Sequence, residues 1–251
     1  MPDPEHPEER SNTMKTLFAL LSVLALALTA ALPASACPTC ARHNPTGSTG
    51  NTEDHGHEHL DEDEGFMTIL GEGHTDGWTF DDEWFSIEEG VLVAGTMEQQ
   101  IPRSLYAHYE TEYYNFELRL QAKLEGPRNG NGGIQFRSEV REQQNDMRGY
   151  QADMGAVYWG RIYDQSRGRG LLTAHPEGFS IDEDINHGDW NDYVIRCEDA
   201  HIQVWINGTL TADYTEEDED IAGQAGLIGL QMHSGPASIR YYRHIRIKEL
   251  D

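Results

Sequence analysis

Hydrophobic and polar residues alternate with a period of two along most of the chain beyond Phe66. Phe116, Leu118, Leu120, Ala122 and Leu124 are separated by Glu117, Arg119, Gln121 and Lys123. Successive side chains of a strand face opposite sides, so this run predicts one long strand with an apolar face and a polar face. The stretch 131–154 repeats the pattern twice. Ile134 and Phe136 alternate with Gln135 and Arg137, and Tyr150, Ala152 and Met154 alternate with Gln151 and Asp153. Two neighbouring strands, joined by a polar loop from Ser138 to Arg148, then share one core face. Their other face carries Gln135, Arg137, Gln151 and Asp153. A plain solvated face is rich in Thr, Lys and Glu. An Arg, an Asp and two amides fit a hydroxyl-rich ligand, although a surface ion pair between them explains the pattern equally well.

Shorter runs and turn signals fill the rest. Gly90 precedes Val91-Leu92-Val93, and Gly126-Pro127 with Asn129 to Gly133 marks another turn. Tyr193–Cys197 and Ile202–Ile206 read as a hairpin around Glu198-Asp199-Ala200, and Asn207-Gly208 as a second hairpin turn rather than a glycosylation site. Leu227–Met232 and Ile239–Ile247 close the set, with Gln231 and His233 on one face. Many antiparallel strands with almost no helix predict an all-β jelly-roll sandwich over residues 66–251.

The only long apolar run, Leu17–Leu32, follows Met14-Lys15 and ends in Pro33-Ala34-Ser35-Ala36. It is short for a bilayer crossing and ends in a small-residue cleavage site, so residues 14–36 read as a signal peptide, not a membrane span. Residues 1–13 are acidic and rich in Pro, the wrong chemistry for a signal start, and read as a misassigned extension. Export is the consequence, whether to the periplasm, to the cell envelope as a lipoprotein anchored at Cys37, or to the medium. Cys37 and Cys40 admit a small disulfide, a lipid anchor or a metal pair with His43; Ala41 excludes haem attachment. Residues 37–65 form an acidic linker in which His55, His57 and His59 are either solvated or weak metal ligands. Cys197 reads as a small buried hydrophobe.

Charge narrows the partners. The chain has 18 basic and 44 acidic residues and a formal net charge of -26. That argues against nucleic acid and anionic membranes. No cofactor motif is present; the acidity is compatible with a divalent cation without indicating one.

The order of several short motifs resembles a known family. They are Gly77-Trp78, Phe116-Glu117-Leu118, Asn131 to Arg137, Gly149-Tyr150-Gln151 and Gly160 to Asp164. Asp189-Trp190-Asn191, Gly226 to His233 and the ending Ile245 to Leu250 complete the set. Together they resemble the 3-keto-disaccharide hydrolase domain. The resemblance implies a concanavalin A-like lectin/glucanase sandwich of two antiparallel sheets, and an exported bacterial protein acting on oxidised sugars. Many members carry Gly-Tyr-Glu where this chain has Gly149-Tyr150-Gln151. An amide cannot transfer the proton, but Asp153 lies on the same face and supplies a carboxylate.

A 3-keto sugar implies proton abstraction at carbon 2, loss of the group at carbon 1 and hydration. The expected roles are Asp153 or His233 as base, Arg137 on the enolate oxygen and Tyr163 as proton donor. Gln135, Gln151, Trp159, Arg167 and Gln231 are the expected sugar contacts. Each has a plain alternative: His233 and Tyr163 as structural residues, Trp159 as core, Arg167 as the ion-pair partner of Asp164. No paired carboxylates at positions suited to a conventional glycosidase stand out. A carbohydrate-binding module without turnover is the competing expectation.

Overall fold

The computed structural model describes residues 64–141 and 146–251. The readings that concern the apolar run, Cys37, Cys40, His43 and the three histidines at 55, 57 and 59 lie outside the described residues. In chain order the strands are β1 (Met67–Leu70), β2 (Trp78–Thr79), β3 (Phe85–Glu88), β4 (Val91–Thr96), β5 (Leu105–Tyr113), β6 (Phe116–Glu125), β7 (Asn131–Arg141) and β8 (Asp146–Gly155). They continue with β9 (Ile162–Gln165), β10 (Gly170–Leu171), β11 (Asn191–Glu198), β12 (His201–Ile206), β13 (Thr209–Thr215), β14 (Gly226–Met232) and β15 (Ser238–Glu249). One helix of four residues, Ile181–Asp184, interrupts them.

Two antiparallel sheets result. The eight-stranded sheet runs β13-β12-β11-β6-β15-β4-β3, with β1 also on β15. The seven-stranded sheet runs β10-β9-β8-β7-β14-β5-β2. This is the jelly-roll sandwich that the alternation predicts. Phe116, Leu118, Leu120, Ala122 and Leu124 of β6 are all buried, and the polar residues between them are not. Ile134, Phe136, Tyr150, Ala152 and Met154 meet them from the other sheet, and Phe136 stacks on Tyr150 at 5.7 Å. Each large apolar side chain buried this way contributes about 1.5–3 kcal/mol. The Asn207-Gly208 turn has φ of 49° and 82°, both left-handed, as a tight two-residue hairpin requires. Cys197 is buried among the core residues.

The stretch Ser138 to Arg148 differs from expectation. Most of it is strand, not loop: Glu139 pairs with Arg148 and Val140 with Met147. The pairing slips between Phe136 and Glu139, where Arg137 adopts φ 45°. A bulge of this kind places an extra residue in one strand and re-aims its side chain.

Polar side chains also cross the core. The Tyr193 hydroxyl donates to the Asp153 carbonyl at 3.0 Å and the Tyr242 hydroxyl to the Gln231 carbonyl at 2.9 Å. Arg240, fully buried, donates from Nε to the Asn131 carbonyl at 2.7 Å and from Nη2 to the His233 carbonyl at 3.1 Å. Burial pulls the Arg240 guanidinium down to about 10, still protonated at neutral pH. The eight-stranded sheet thus braces, from beneath, the backbone of four residues whose side chains emerge on the far side of the other sheet.

Candidate functional site

Those four residues line one cavity of about 490 Å³ on the outer face of the seven-stranded sheet. Asn131, Gln151, Asp153, Tyr163, Gln231 and His233 contribute, with Tyr158, Gln165 and Leu171 at the β9–β10 side. The strand parity that sends Ile134, Tyr150, Ala152 and Leu230 into the core sends Gln135, Gln151, Asp153 and Gln231 outward.

The floor is a chain of hydrogen bonds. Ser138 Oγ donates to Gln135 Oε1 at 2.8 Å. Gln135 Nε2 donates to Gln151 Oε1 at 2.7 Å, and Gln151 Nε2 to Asp153 Oδ1 at 2.7 Å. Asp153 is 5% exposed. Its burial, offset in part by the Gln151 amide and by the charge of Arg161, pushes the carboxyl up to about 7. A carboxyl with that value exchanges protons near neutral pH, as a general base must. His233 Nδ1 lies 2.6 Å from the Ser234 carbonyl and donates to it, which leaves Nε2 as the acceptor nitrogen. Two more acceptors wait for donors: Gln231 Oε1 and Asn131 Oδ1 are buried and have no partner among the described residues. Gln231 uses its Nε2 on the Tyr106 hydroxyl at 2.8 Å. Buried acceptors of this kind are costly unless a ligand or water satisfies them, and sugar hydroxyls are suitable donors.

Glycines make the room. A Cβ on Gly133 would stand 2.6 Å from Gln151 Cδ, and one on Gly229 would stand 2.4 Å from Met147 Sδ. Gly133→Ala is expected to push the Gln151 side chain aside and strip Asp153 of its donor. The donor holds the Asp153 value down, so the acid limb of the pH–rate profile should move above 7, with a lower melting temperature because Gln135 and Asp153 lose a buried partner. An unshifted limb would show that Gln151 does not govern Asp153.

Of the expected site residues, the cavity gathers Asp153, Gln151, Tyr163, Gln231 and His233, with Gln135 beneath Gln151. Three others lie elsewhere. The bulge turns Arg137 to the end of the sandwich, where it donates to the carbonyls of Tyr114 (2.8 Å) and Asp199 (2.6 Å) and to Asn115 Oδ1 (3.2 Å). It is a clamp on two turns, not a cation for an enolate. Arg167 packs over the Tyr150 ring at 4.7 Å and pairs with the buried Asp164 at 3.3 Å. Trp159 is core, edge-on to His187 at 6.4 Å. Among the described residues, neither Lys nor Arg lines the cavity. Asn131, Tyr158, Gln165 and Leu171 were not anticipated. Among the described residues no three of His, Cys, Asp or Glu cluster as metal ligands.

A family model, the 3-keto-alpha-glucoside-1,2-lyase-like domain, matches residues 65–248. The chain belongs to this family. Its name ties the lyase-like domain to carbohydrate chemistry. A search of curated proteins returned no match. Solved structures share the fold at low identity. A candidate glycosyl hydrolase from Parabacteroides distasonis is 20% identical with a TM-score of 0.53, covering 74% of this chain and 99% of that one. The carbohydrate-binding module CBM66 from Bacillus subtilis is 14% identical with a TM-score of 0.54, covering 73% and 99%. A Bacillus subtilis protein with a galectin-like fold has a TM-score of 0.55 at 10% identity, covering 73% and 94%. At such identities the likeness concerns the lectin-like sandwich of the lyase-like domain.

Proposed function

We propose that this domain is an exported enzyme that breaks the glycosidic bond of neutral 3-keto glycosides by elimination, followed by hydration. The single observation that carries the reading is Asp153, a buried carboxyl raised to about 7 and aimed by Gln151 at a cavity with unpartnered acceptors. The ketone at carbon 3 acidifies the hydrogen on carbon 2. The Asp153 carboxylate takes that proton, and the electron pair forms the enolate. The enolate collapses to a carbon 1–carbon 2 double bond and restores the ketone. The carbon 1–oxygen pair leaves with the aglycone, which receives a proton from Tyr163 or from protonated Asp153. Water then adds across the double bond. With no cation on the lining, neutral donors such as Tyr163 and the Asn131 amide serve the enolate oxygen. The run Leu17–Leu32 supports export.

The test is release of aglycone from methyl and aryl 3-keto-glucosides as a function of pH. A base must be unprotonated, so kcat/KM is expected to rise through about pH 7 and level off above it. An acid limb near the ordinary aspartate range would exclude Asp153 as the base. Binding of sugars without turnover at any pH would support the binding-module reading instead.

A further inference from the structure

Strand register lays out the outer face of the seven-stranded sheet in rows. One row runs His108 on β5, Gly229 on β14, Gln135 on β7 and Gln151 on β8. The next row on that face runs Tyr106, Gln231, Gly133 and Asp153. Gly133 has no side chain, so Gln231 and Asp153 flank it, with the Gln151 side chain lying over the glycine as a floor. Neighbouring strands are about 4.8 Å apart, which separates Gln231 from Asp153 by about 10 Å at the backbone. One pyranose ring with its substituents bridges that span.

The row also has a direction. Gln231 Nε2 donates to the Tyr106 hydroxyl at 2.8 Å. That hydroxyl has one proton, and Asp146 accepts it. Burial raises Tyr106 well above the ordinary phenol range, the Gln231 amide lowers it, and the Asp146 carboxylate, charged and hydrogen-bonded to it, raises it further. Asp146 is itself held by Ser166 Oγ, by Gln165 Nε2 at 3.2 Å and by Arg141 at 3.6 Å. A carboxylate gripped by donors only accepts, so the Tyr106 oxygen meets the amide with a lone pair. Gln231 cannot reverse, because its own oxygen would then face that lone pair. Its Oε1 is therefore turned away from Tyr106, and it is buried without a partner among the described residues. Gln231 is 1% exposed and lines the Asp153 cavity.

We infer that Tyr106 and Asp146 are positioning residues, and that the group they aim, Gln231 Oε1, accepts from one free hydroxyl on the half of the sugar ring remote from carbon 2. This rests on the elimination proposed above, which sets carbon 2 over Asp153. In a 3-keto-glucoside the hydroxyls on the far half are those of carbons 4 and 6. A sugar with a hydroxyl there gives the orphaned acceptor its donor. An analogue with hydrogen there leaves the acceptor buried and unpaired, and an acylated sugar sets acceptor against acceptor. Rejection by an unsatisfied polar group is steeper than rejection by the fit of a methylene, so the site selects its sugar by one donor without any charged contact.

The experiment titrates the full chain, carrying Asp153→Asn so that ligand is not consumed, with methyl 3-keto-glucoside and its 4-deoxy and 6-deoxy analogues in a calorimeter. One of the two deoxy analogues is expected to bind at least about tenfold more weakly than the parent. Adding Tyr106→Phe, which removes one oxygen and keeps the ring, should bring the parent down to that analogue and leave the analogue's own Kd within about twofold. Gln231→Met should do the same, and combining it with Tyr106→Phe should cost nothing more, because both act on one contact. Equal Kd values for the three ligands overturn the inference. So does a Tyr106→Phe change that weakens all three alike, as a residue that only supports the fold would, or one that leaves the discrimination intact. Turnover of methyl 3-keto-glucoside by the unsubstituted chain tests the elimination separately. Discrimination through Gln231 without turnover sinks the elimination and keeps the acceptor assignment; turnover with equal Kd values does the reverse. If none of the three ligands binds, both fail.

Discussion

Asp153→Asn is expected to lower turnover roughly 10²–10⁴-fold, the usual contribution of a general base. The same substitution is expected to make the protein more stable at high pH. The sign comes from proton linkage. The folded chain holds the Asp153 proton up to about 7, and an unfolded aspartate loses it near 3.8. The folded state therefore gains from this residue fully below pH 3.8 and loses that gain as pH rises through 7. Above that, the wild-type protein carries a buried carboxylate whose charge disfavours folding by on the order of 2–4 kcal/mol. Asn fits the same space, still accepts from Gln151, and never ionises. Thermal melts near pH 4 and above about pH 8 check this. The two proteins should melt together in acid and diverge in alkali, with the variant higher. A wild-type level of turnover in a folded variant would pass the role of base to His233.

The second large effect concerns stability alone. Arg169→Met is expected to destabilise the fold by about 3–5 kcal/mol, the cost of removing one partner from a buried ion network. Arg169 donates from Nη1 and Nη2 to Glu216 at 2.9 and 2.8 Å and from Nε to Asp164 at 2.9 Å. Both carboxylates are essentially inaccessible, at 2% and 0% exposure. The Tyr150 hydroxyl adds a 2.6 Å bond to Glu216. Burial would raise the Glu216 value, but Arg169, Tyr150 and the Asp218 amide overcome it and hold the carboxyl down at about 2. This stabilisation is present above the ordinary glutamate range and is lost as pH falls towards 2, opposite in sign to Asp153. Chemical denaturation of Arg169→Met measures the effect. Arg128→Met is the control: its pair with Asp182 is exposed on both sides, and its loss should cost less than about 1 kcal/mol. Equal effects from the two would show that the buried network contributes nothing special.

The sandwich was legible because the outer face of each sheet is polar, whether open as on β6 or covered as on β7, β8 and β14, so each strand announces its core face by alternation. The same rule gave Gln135, Gln151, Asp153 and Gln231 their common face. It failed at Arg137 for a local reason. Period-two reasoning assumes an unbroken ladder, and one left-handed residue between Phe136 and Glu139 shifts the parity of the rest of β7. Trp159 and Arg167 lie in connections between strands, where no period applies and only tertiary packing decides which way a side chain turns. Tyr106 and His108 were within reach of the method, since Leu105 and Ala107 alternate with them in β5. Tyr158 carries no such signal: it is an exposed ring in the turn after β8, placed by the fold as a whole.

The one-way run of donors from Ser138 through Gln135 and Gln151 constrains stereochemistry. Because Gln151 always presents an N–H to Oδ1, that oxygen stays an acceptor whether Asp153 is charged or neutral. The mobile proton must reside on Oδ2. Under the elimination proposed above, one oxygen would therefore both remove and return hydrogen, and a sugar lying over it would be addressed from a single face. Hydration in heavy water should deposit deuterium at carbon 2 with one configuration, a chirality written into the product by the direction in which two glutamine amides point.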